Sequence, residues 1–408
     1  MGACAAPEPN DAWPAVGGSL DEDEHSLDWA ATDWGGLLHR RPRAVLRPNA
    51  TSDIARLASF CRERGLTLRP RGQGHSLQGR AQAHDGVVVD MRATAAIGEI
   101  HSDRVEVEAG ALWSDVLAAT LPHGLAPPVF TDYIELTVGG TLSVGGIGGA
   151  THRHGMQTDN VLAMQVMTHD GETRPCSPER NAALFDAVRA GYGRHGTILR
   201  ATLRLTEAFE HTRVHTVRYQ DRSVFLQDQR MLVASGAFDH VQGHVLPDED
   251  GWSFFLVAAQ YGTSASSSPG PLLDSLRSDN REVDDLPHGE FLHRLRPQEQ
   301  FLRATGAWHR AHPWLDLFLP DSAADGFLDE VMDGLRPDDL GEGGLVLLYP
   351  FPTRVVRTPA LMLPREPTTY LVSLLRTAPA DGAAIQHMLD ENARLRSIAL
   401  ERGATLYL

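Results

Sequence analysis

The run Arg71-Gly72-Gln73-Gly74-His75-Ser76 places one histidine among small residues, shortly after the apolar positions Leu66 and Leu68. Glycine allows tight curvature and close approach of the backbone, so the N–H groups of such a loop can close around a pyrophosphate. The histidine then stands beside the rest of that ligand. The same residues also make an ordinary glycine turn, and they match neither the Rossmann fingerprint nor a Walker loop. A second stretch, Gly139-Gly140-Thr141-Leu142-Ser143, continues into Gly145-Gly146-Ile147-Gly148-Gly149, with Leu142, Val144 and Ile147 interspersed as buried positions would be. Gly191-Tyr192-Gly193-Arg194-His195-Gly196-Thr197-Ile198 is a third. Three backbone-exposing segments at wide spacing suit a large dinucleotide better than a small ligand.

Asp132 lies between aromatic residues in Phe130-Thr131-Asp132-Tyr133. A carboxyl desolvated in apolar surroundings has a raised pKa and can act as a base or a hydrogen-bond partner. A turn acid or a helix cap would read the same way. His152, His154 and His169 have no carboxylate or thiol partners at ligand spacing, so no metal site is expected. Cys4, Cys61 and Cys176 form neither a disulfide framework nor a zinc pattern. Trp308 and the run His312-Pro313-Trp314 fit either a core or a pocket wall.

These residues need a frame. The chain has 408 residues, more than one hydrophobic core usually serves, so two domains are expected. Residues 1–21 read as irregular. Ser52 reads as the cap of a helix with Ile54, Leu57, Ala58 and Cys61 on its apolar face and Gly65 as its stop. An extended segment over 66–69 then enters the first glycine loop. Val87-Val88-Val89 reads as a buried strand, and Val105 and Val107 alternate with Glu106 and Glu108 as a half-exposed one. A helix is expected from Ser114 to Leu121, a hairpin at Asp170-Gly171, a helix opened by Asn181, and a one-sided strand through Leu199, Ala201, Leu203 and Leu205. Beyond Glu207 the glycine loops thin out. Strands are expected over 253–261, 345–349 and 370–375, a Ser-rich connector over 263–269, and helices bearing Phe327 to Leu335 and Ile385 to Ile398.

The net charge of -16 argues against nucleic acid and against an anionic membrane surface as partners. Arg40-Arg41-Pro42-Arg43 is a short cluster of the kind found on solvated faces. With no basic n-region and apolar h-region at the N-terminus, and no apolar run long enough to span a bilayer, a cytoplasmic setting is expected.

The motifs occur together in a definite order. Arg71 to Ser76 is followed by Phe130-Thr-Asp132-Tyr and Leu136-Thr137-Val-Gly-Gly-Thr-Leu-Ser143. Arg153-His154-Gly155, Leu184 to Val188, Gly193 to Ile198, and Trp308 with His312-Pro-Trp-Leu315 come next. In this order the chain resembles the cytokinin dehydrogenases, within the vanillyl-alcohol-oxidase group of FAD flavoproteins that carry a PCMH-type FAD-binding domain. The resemblance implies an α+β, two-domain fold. Residues 22–208 would form an FAD domain of two α+β subdomains. Residues 209–408 would form a substrate domain, an antiparallel sheet flanked by helices that covers the isoalloxazine ring. It implies FAD linked covalently through His75 to the flavin 8α-methyl group. Arg71, Gly72, Gln73, Gly74, Ser76, Arg80, Thr137, Gly139, Gly140, Ser143, Ile147, Gly196, Ile198 and Tyr407 would contact the cofactor, together with Asp132. With no cysteine between Gly139 and Gly155, a single covalent link is expected.

Asp132 matches the catalytic acid of that family. As hydride leaves carbon for flavin N5, a carboxylate within reach of the substrate N–H accepts its proton. Three departures stand out. Gln242, in His240-Val241-Gln242-Gly243, replaces a pocket-mouth glutamate. Arg310 replaces an apolar residue, and either meets an anionic group on the substrate or points to solvent. Relatives continue past Tyr407-Leu408 for some tens of residues that return to the FAD domain. Arg80 also stands where glutamine is frequent. Gln242, Arg310 and Trp308 are the candidate substrate residues. The expected activity is FAD-dependent oxidation of a C–N bond in an amine, with an N6-substituted adenine as the default small-molecule substrate and oxygen or a quinone as electron acceptor. The alternatives are an FAD-linked oxidase of an amine or alcohol in bacterial secondary metabolism, and a flavin-binding protein without turnover. The oligomeric state is left open.

Overall fold

The computed structural model describes residues 12–249, 251–262, 270–278 and 280–407. Cys4 and the connector expected over 263–269 lie outside these residues.

A four-stranded sheet has the order Ser19–Asp21, Ala44–Arg47, Val87–Asp90, Leu68–Arg71. The first pair is antiparallel and the others parallel. Val87, Val88 and Val89 are wholly buried, as a strand covered on both faces should be. The edge strand Leu68–Arg71 starts two residues later than expected and runs straight into the first glycine loop. The helix Thr51–Glu63 begins before Ser52, and the Ser52 hydroxyl is not its cap. The Asp53 carboxylate instead accepts the N–H groups of Asn49 (3.0 Å) and Ala50 (3.3 Å). It also accepts those of Gly17 (2.7 Å) and Gly18 (3.1 Å), which fixes the start of strand Ser19–Asp21. That part of the N-terminus is therefore ordered, contrary to the irregular segment expected.

The second sheet is antiparallel, in the order Ile97–Ile100, Arg104–Glu108, Thr197–Arg204, Val161–Met167, Thr173–Cys176. The expected hairpin forms at Asp170-Gly171, where Gly171 has φ +85°. Helix Trp113–Thr120 and the turn after it end at Gly124, which takes φ +68°. One core joins the two sheets through Leu46, Ile54, Val87, Val107, Trp113, Phe185 and Leu199.

The third sheet has eight strands, in the order Arg281–Pro287, His211–Tyr219, Gly251–Gly262, His240–Asp248, Leu345–Pro352, Thr368–Leu375, Leu315–Pro320, Thr405–Leu406. Among the described residues its strands pair antiparallel throughout. Side chains alternate between its faces with period two. One face packs Leu317, Val346, Leu348, Tyr370 and Val372 against the helices Arg222–Ser235, Asp321–Gly334 and Gly382–Glu401. The opposite face turns Gln242, His244, Leu347, Tyr349, Leu371, Ser373 and Asp316 toward the glycine loops. A smaller core binds that face to the loops, with Ile147 and Met156 from one side and Phe318, Tyr349, Phe351, Leu371 and Tyr407 from the other.

Candidate active site

Between the glycine loops and the eight-stranded sheet lies a cavity of about 940 Å³. Arg71 through Ser76 form one wall of it. Gly72 is required there, because a Cβ would sit 2.0 Å from Thr137 Oγ1. The Arg71 guanidinium serves the loop itself. It donates to the Thr32 carbonyl (2.5 Å), lies over the Trp29 ring (4.5 Å) and packs beneath Gly74. The Ser76 hydroxyl donates to Asp33 (2.9 Å), which also accepts the Gly79 N–H (2.7 Å).

Thr137, Gly139, Gly140, Ser143 and Ile147 line a second wall, built around the short helix Val138–Leu142. The Ser143 hydroxyl donates to the Gly139 carbonyl (2.7 Å). The third glycine stretch closes against this helix: Ala190 N–H donates to Leu142 (2.9 Å) and Tyr192 N–H to Ser143 (2.8 Å). Ala190 (φ +55°) and Tyr192 (φ +56°) are both left-handed, a strained backbone of the kind that clusters at binding sites. Gly196, Ile198, Arg80 and Tyr407 complete this side. Arg80 lies over the Tyr192 ring (4.2 Å), and the Tyr192 hydroxyl donates to the Tyr407 carbonyl.

His75 is set in an aromatic box. Trp34 stacks on it with ring centroids 4.4 Å apart, and stacks on its other side against His312 at 3.7 Å. Tyr133, Trp314 and Trp308 stand around it at 5.4, 6.0 and 6.3 Å. Burial, with His312 across the Trp34 ring, pushes His75 down to about 3, so its imidazole is neutral.

Asp132 enters the cavity from the loop that precedes Thr137. Its Oδ1 accepts from the Arg294 guanidinium and its Oδ2 from the Tyr349 hydroxyl. Burial alone would raise this carboxyl. Arg294, His240, the Tyr349 hydroxyl and His244 more than offset it, and the group sits below its ordinary value. That corrects the raised value expected from its aromatic neighbours, because the decisive neighbour is a cation. Tyr349 also lies 3.1 Å from Gln242 Oε1, which His240 Nε2 approaches to 2.7 Å, and Gln242 Nε2 meets His244 Nε2 at 2.5 Å. Burial lowers His240 to about 3 and His244 to about 4. Behind Arg294 and His240 lies a second, smaller cavity of about 200 Å³.

The chain is matched over residues 42–177 by the FAD binding domain family, and over residues 273–407 by the family described as cytokinin dehydrogenase 1, FAD and cytokinin binding. An uncharacterized oxidoreductase, ORF5 of the fasciation locus of Rhodococcoides fascians, is 39% identical over 396 residues, covering 96% of this chain and 90% of that protein. Cytokinin dehydrogenase 10 of Oryza sativa subsp. japonica is 37% identical over 428 residues, covering 92% and 78%. The chain belongs to the cytokinin dehydrogenase family of FAD-dependent oxidoreductases. A 6-hydroxy-D-nicotine oxidase from Arthrobacter nicotinovorans shares the fold, with a TM-score of 0.72 at 20% identity over 94% of this chain and 86% of that one.

Within this family member, the residues expected at the cofactor meet around one cavity, and Gln242 and Trp308 join them. Arg310 does not. It is paired with Glu342 (3.0 Å) and lies outside the cavity lining. Trp34, Arg294, Tyr349, His244 and Asp316 line the cavity without having been expected there. None lies in a glycine or Asp132 motif, and each arrives through tertiary folding. Among the described residues no cluster of His, Cys, Asp and Glu could hold a metal ion, and no helix is long and apolar enough to cross a membrane.

Proposed function

We propose that this oxidoreductase oxidises the C–N bond of an amine, with an N6-substituted adenine as the default substrate, and that Asp132 takes the N–H proton. The observation that carries this reading is Asp132 itself, a half-buried carboxyl on the cavity wall whose pKa Arg294 and the Tyr349 hydroxyl help to lower. FAD fits the residues present. A Cβ-free loop at Gly72, a long cavity walled by three glycine segments and a neutral histidine at its aromatic end are what a large flat dinucleotide needs. Bound FAD supplies the acceptor for a hydride.

The chain's own residues do the rest. The loop N–H groups of 72–75 and the Val138–Leu142 helix would hold the cofactor. His75, with its neutral imidazole, would be the residue that carries the flavin through a single link. The leucines of the sheet face exclude water from the reacting atoms. A carboxylate this well paired is a weak base at rest, but the substrate N–H grows acidic as hydride leaves the adjacent carbon, and Asp132 then accepts that proton. Tyr349 has one hydroxyl hydrogen and directs it at Asp132 or at Gln242, not both. When Asp132 is protonated, that hydrogen turns to Gln242 Oε1. The imine so formed adds water and separates into an amine and an aldehyde. Oxygen or a quinone then accepts the electrons.

Anaerobic bleaching of the flavin tests the reading. Isopentenyladenine should bleach it, and Asp132→Asn should keep the bound flavin while slowing bleaching by about 10²–10⁴-fold, the usual worth of a positioned base. Bleaching by simple amines or alcohols but not by the adenine would replace the substrate class. Unchanged bleaching in Asp132→Asn would remove Asp132 as the base.

A further inference from the structure

The smaller cavity, of about 200 Å³, has no part in the chemistry described so far. Arg294 borders both cavities, whereas His240 borders the smaller one alone. Each is tied to one oxygen of Asp132. Arg294 donates to Oδ1. His240 Nε2 lies 2.7 Å from Gln242 Oε1, and Tyr349, the donor to Oδ2, lies 3.1 Å from the same atom. The small cavity thus stands directly behind both supports of the base. Thr206, Glu207 and His154 of its lining are exposed and mark its solvent side, while Pro127, Phe130 and Leu292 are buried.

The lining says what kind of ligand fits. Its ionic groups are already answered: Arg294 faces Asp132, Arg153 pairs with Asp239, and Glu207 is exposed. Burial lowers His240 to about 3 and His288 to about 4, so both imidazoles are neutral. An ion entering here would lose water and find no counter-charge, a cost a neutral ligand escapes. Donors are in surplus. Among the described residues the Arg294 guanidinium uses one N–H on Asp132 and one on the Phe291 carbonyl (3.2 Å), and it has others to spare. The Tyr261 hydroxyl is only loosely engaged, 3.4 Å from His240 Nδ1. Such a wall suits a ligand that accepts and does not donate. A cavity of about 150 Å³ holds benzene, so this one takes about six to eight non-hydrogen atoms, too few for a substituted purine.

We propose that this second cavity is a binding site for a small neutral carbonyl compound, the class to which an aldehyde product belongs. Arg294 donates to the carbonyl oxygen, and Phe130 and Leu292 pack on the hydrocarbon part. The composition of the chain suits such a ligand. All 37 of its Lys and Arg residues are arginine. A lysine amine condenses with an aldehyde, releasing water and forming a Schiff base, whereas a guanidinium stays protonated. Cys61 and Cys176 are buried, and burial pushes both thiols up to about 11. No side-chain amine is present to trap a carbonyl compound resting here. The assignment of the ligand class rests on the reading that the oxidation ends in an aldehyde.

Equilibrium dialysis of the flavin-loaded enzyme tests the site, with isovaleraldehyde, isoamyl alcohol and isoamylamine as matched probes. The aldehyde should bind most tightly of the three, and adenine, added to fill the large cavity, should not displace it. Ala126→Met places a longer side chain in the small cavity and should weaken aldehyde binding about 10-fold or more, the worth of a hydrogen bond to a charged donor. Flavin content and the rate of bleaching by substrate should stay as in the wild type. Thr206→Trp, on the exposed side, gives the same comparison should Ala126→Met not fold. Displacement by adenine, or binding that neither substitution weakens, overturns the proposal. So does tighter binding of the alcohol or the amine. If the aldehyde binds as described and isopentenyladenine fails to bleach the flavin, the adenine reading falls and this site stands. If bleaching proceeds and no aldehyde binds, the site falls and the adenine reading stands.

Discussion

At Asp132 two opposed effects meet, and their balance sets the chemistry. Burial favours the protonated carboxyl, and the Arg294 guanidinium favours the carboxylate and wins. The ionised form is the one that accepts a proton, so the acid limb of kcat/KM lies below the ordinary carboxyl range. Arg294→Met removes the cation and should move that limb upward by about 1–3 pH units, the usual effect of an adjacent opposite charge. Arg294→Lys should fall between the two, and Tyr349→Phe should move the limb the same way by less. An acid limb that stays in place in Arg294→Met would show that Asp132 is not the titrating base. The sequence pointed to Asp132 because its neighbours Phe130 and Tyr133 mark an unusual place for an acid. It misjudged the sign of the shift because Arg294 and Tyr349 stand 162 and 217 residues away. Arg310 lies outside the cavity, and its partner Glu342, 32 residues on, gives no local sign of itself.

At the scale of elements, two glycines separate holding the cofactor from aiming the base. Gly72 lies against Thr137, on the cofactor side of the cavity, and Gly72→Ala would drive a methyl group into the Thr137 hydroxyl. Cofactor content should fall, measured as flavin absorbance per mole of purified protein. Gly149 lies at the far end of its loop, where a Cβ would stand 2.3 Å from the His240 ring, and its carbonyl accepts the Val241 N–H (3.0 Å). Gly149→Ala should keep the flavin but displace His240 from Gln242, slowing bleaching by substrate with little change in flavin content. Equal loss of flavin in both variants would mean that the loop acts as one unit. Elements with a clear period were legible: Val161–Met167 with its hairpin, Trp113–Thr120, Asp321–Gly334 and Gly382–Glu401 stand close to where periodicity put them. The helix at Thr51–Glu63 was also found, but its cap was misread, since Asp53 reaches back to Asn49 and Gly17 while Ser52 only resembles a cap. The strand order of the eight-stranded sheet was not legible, because it depends on pairings between distant segments whose apolar alternation fits many partners.

At the scale of the molecule, the cavity exists only because the glycine loops and the large sheet meet. Trp34 stacks between His75 and His312, and the His312 N–H donates to the Gly35 carbonyl (2.9 Å). Tyr192 reaches Tyr407, and Arg189 reaches Thr158 (3.0 Å) and Thr358 (3.4 Å). A cofactor bound here touches both sides, so its binding energy should stabilise the whole assembly together. In the wild type a covalent link through His75 would keep the yellow colour with the protein on acid precipitation. His75→Ala should release it, leaving flavin bound reversibly in the same walls. Stability then follows mass action, rising by about 2.7 kcal/mol when free FAD reaches a hundredfold excess over its Kd. The expected result is one melting transition for His75→Ala that climbs as FAD is added. Wild-type colour that washes out in acid would remove the covalent role of His75. Two transitions, only one of which responds to FAD, would show that the loops and the sheet do not hold the cofactor jointly.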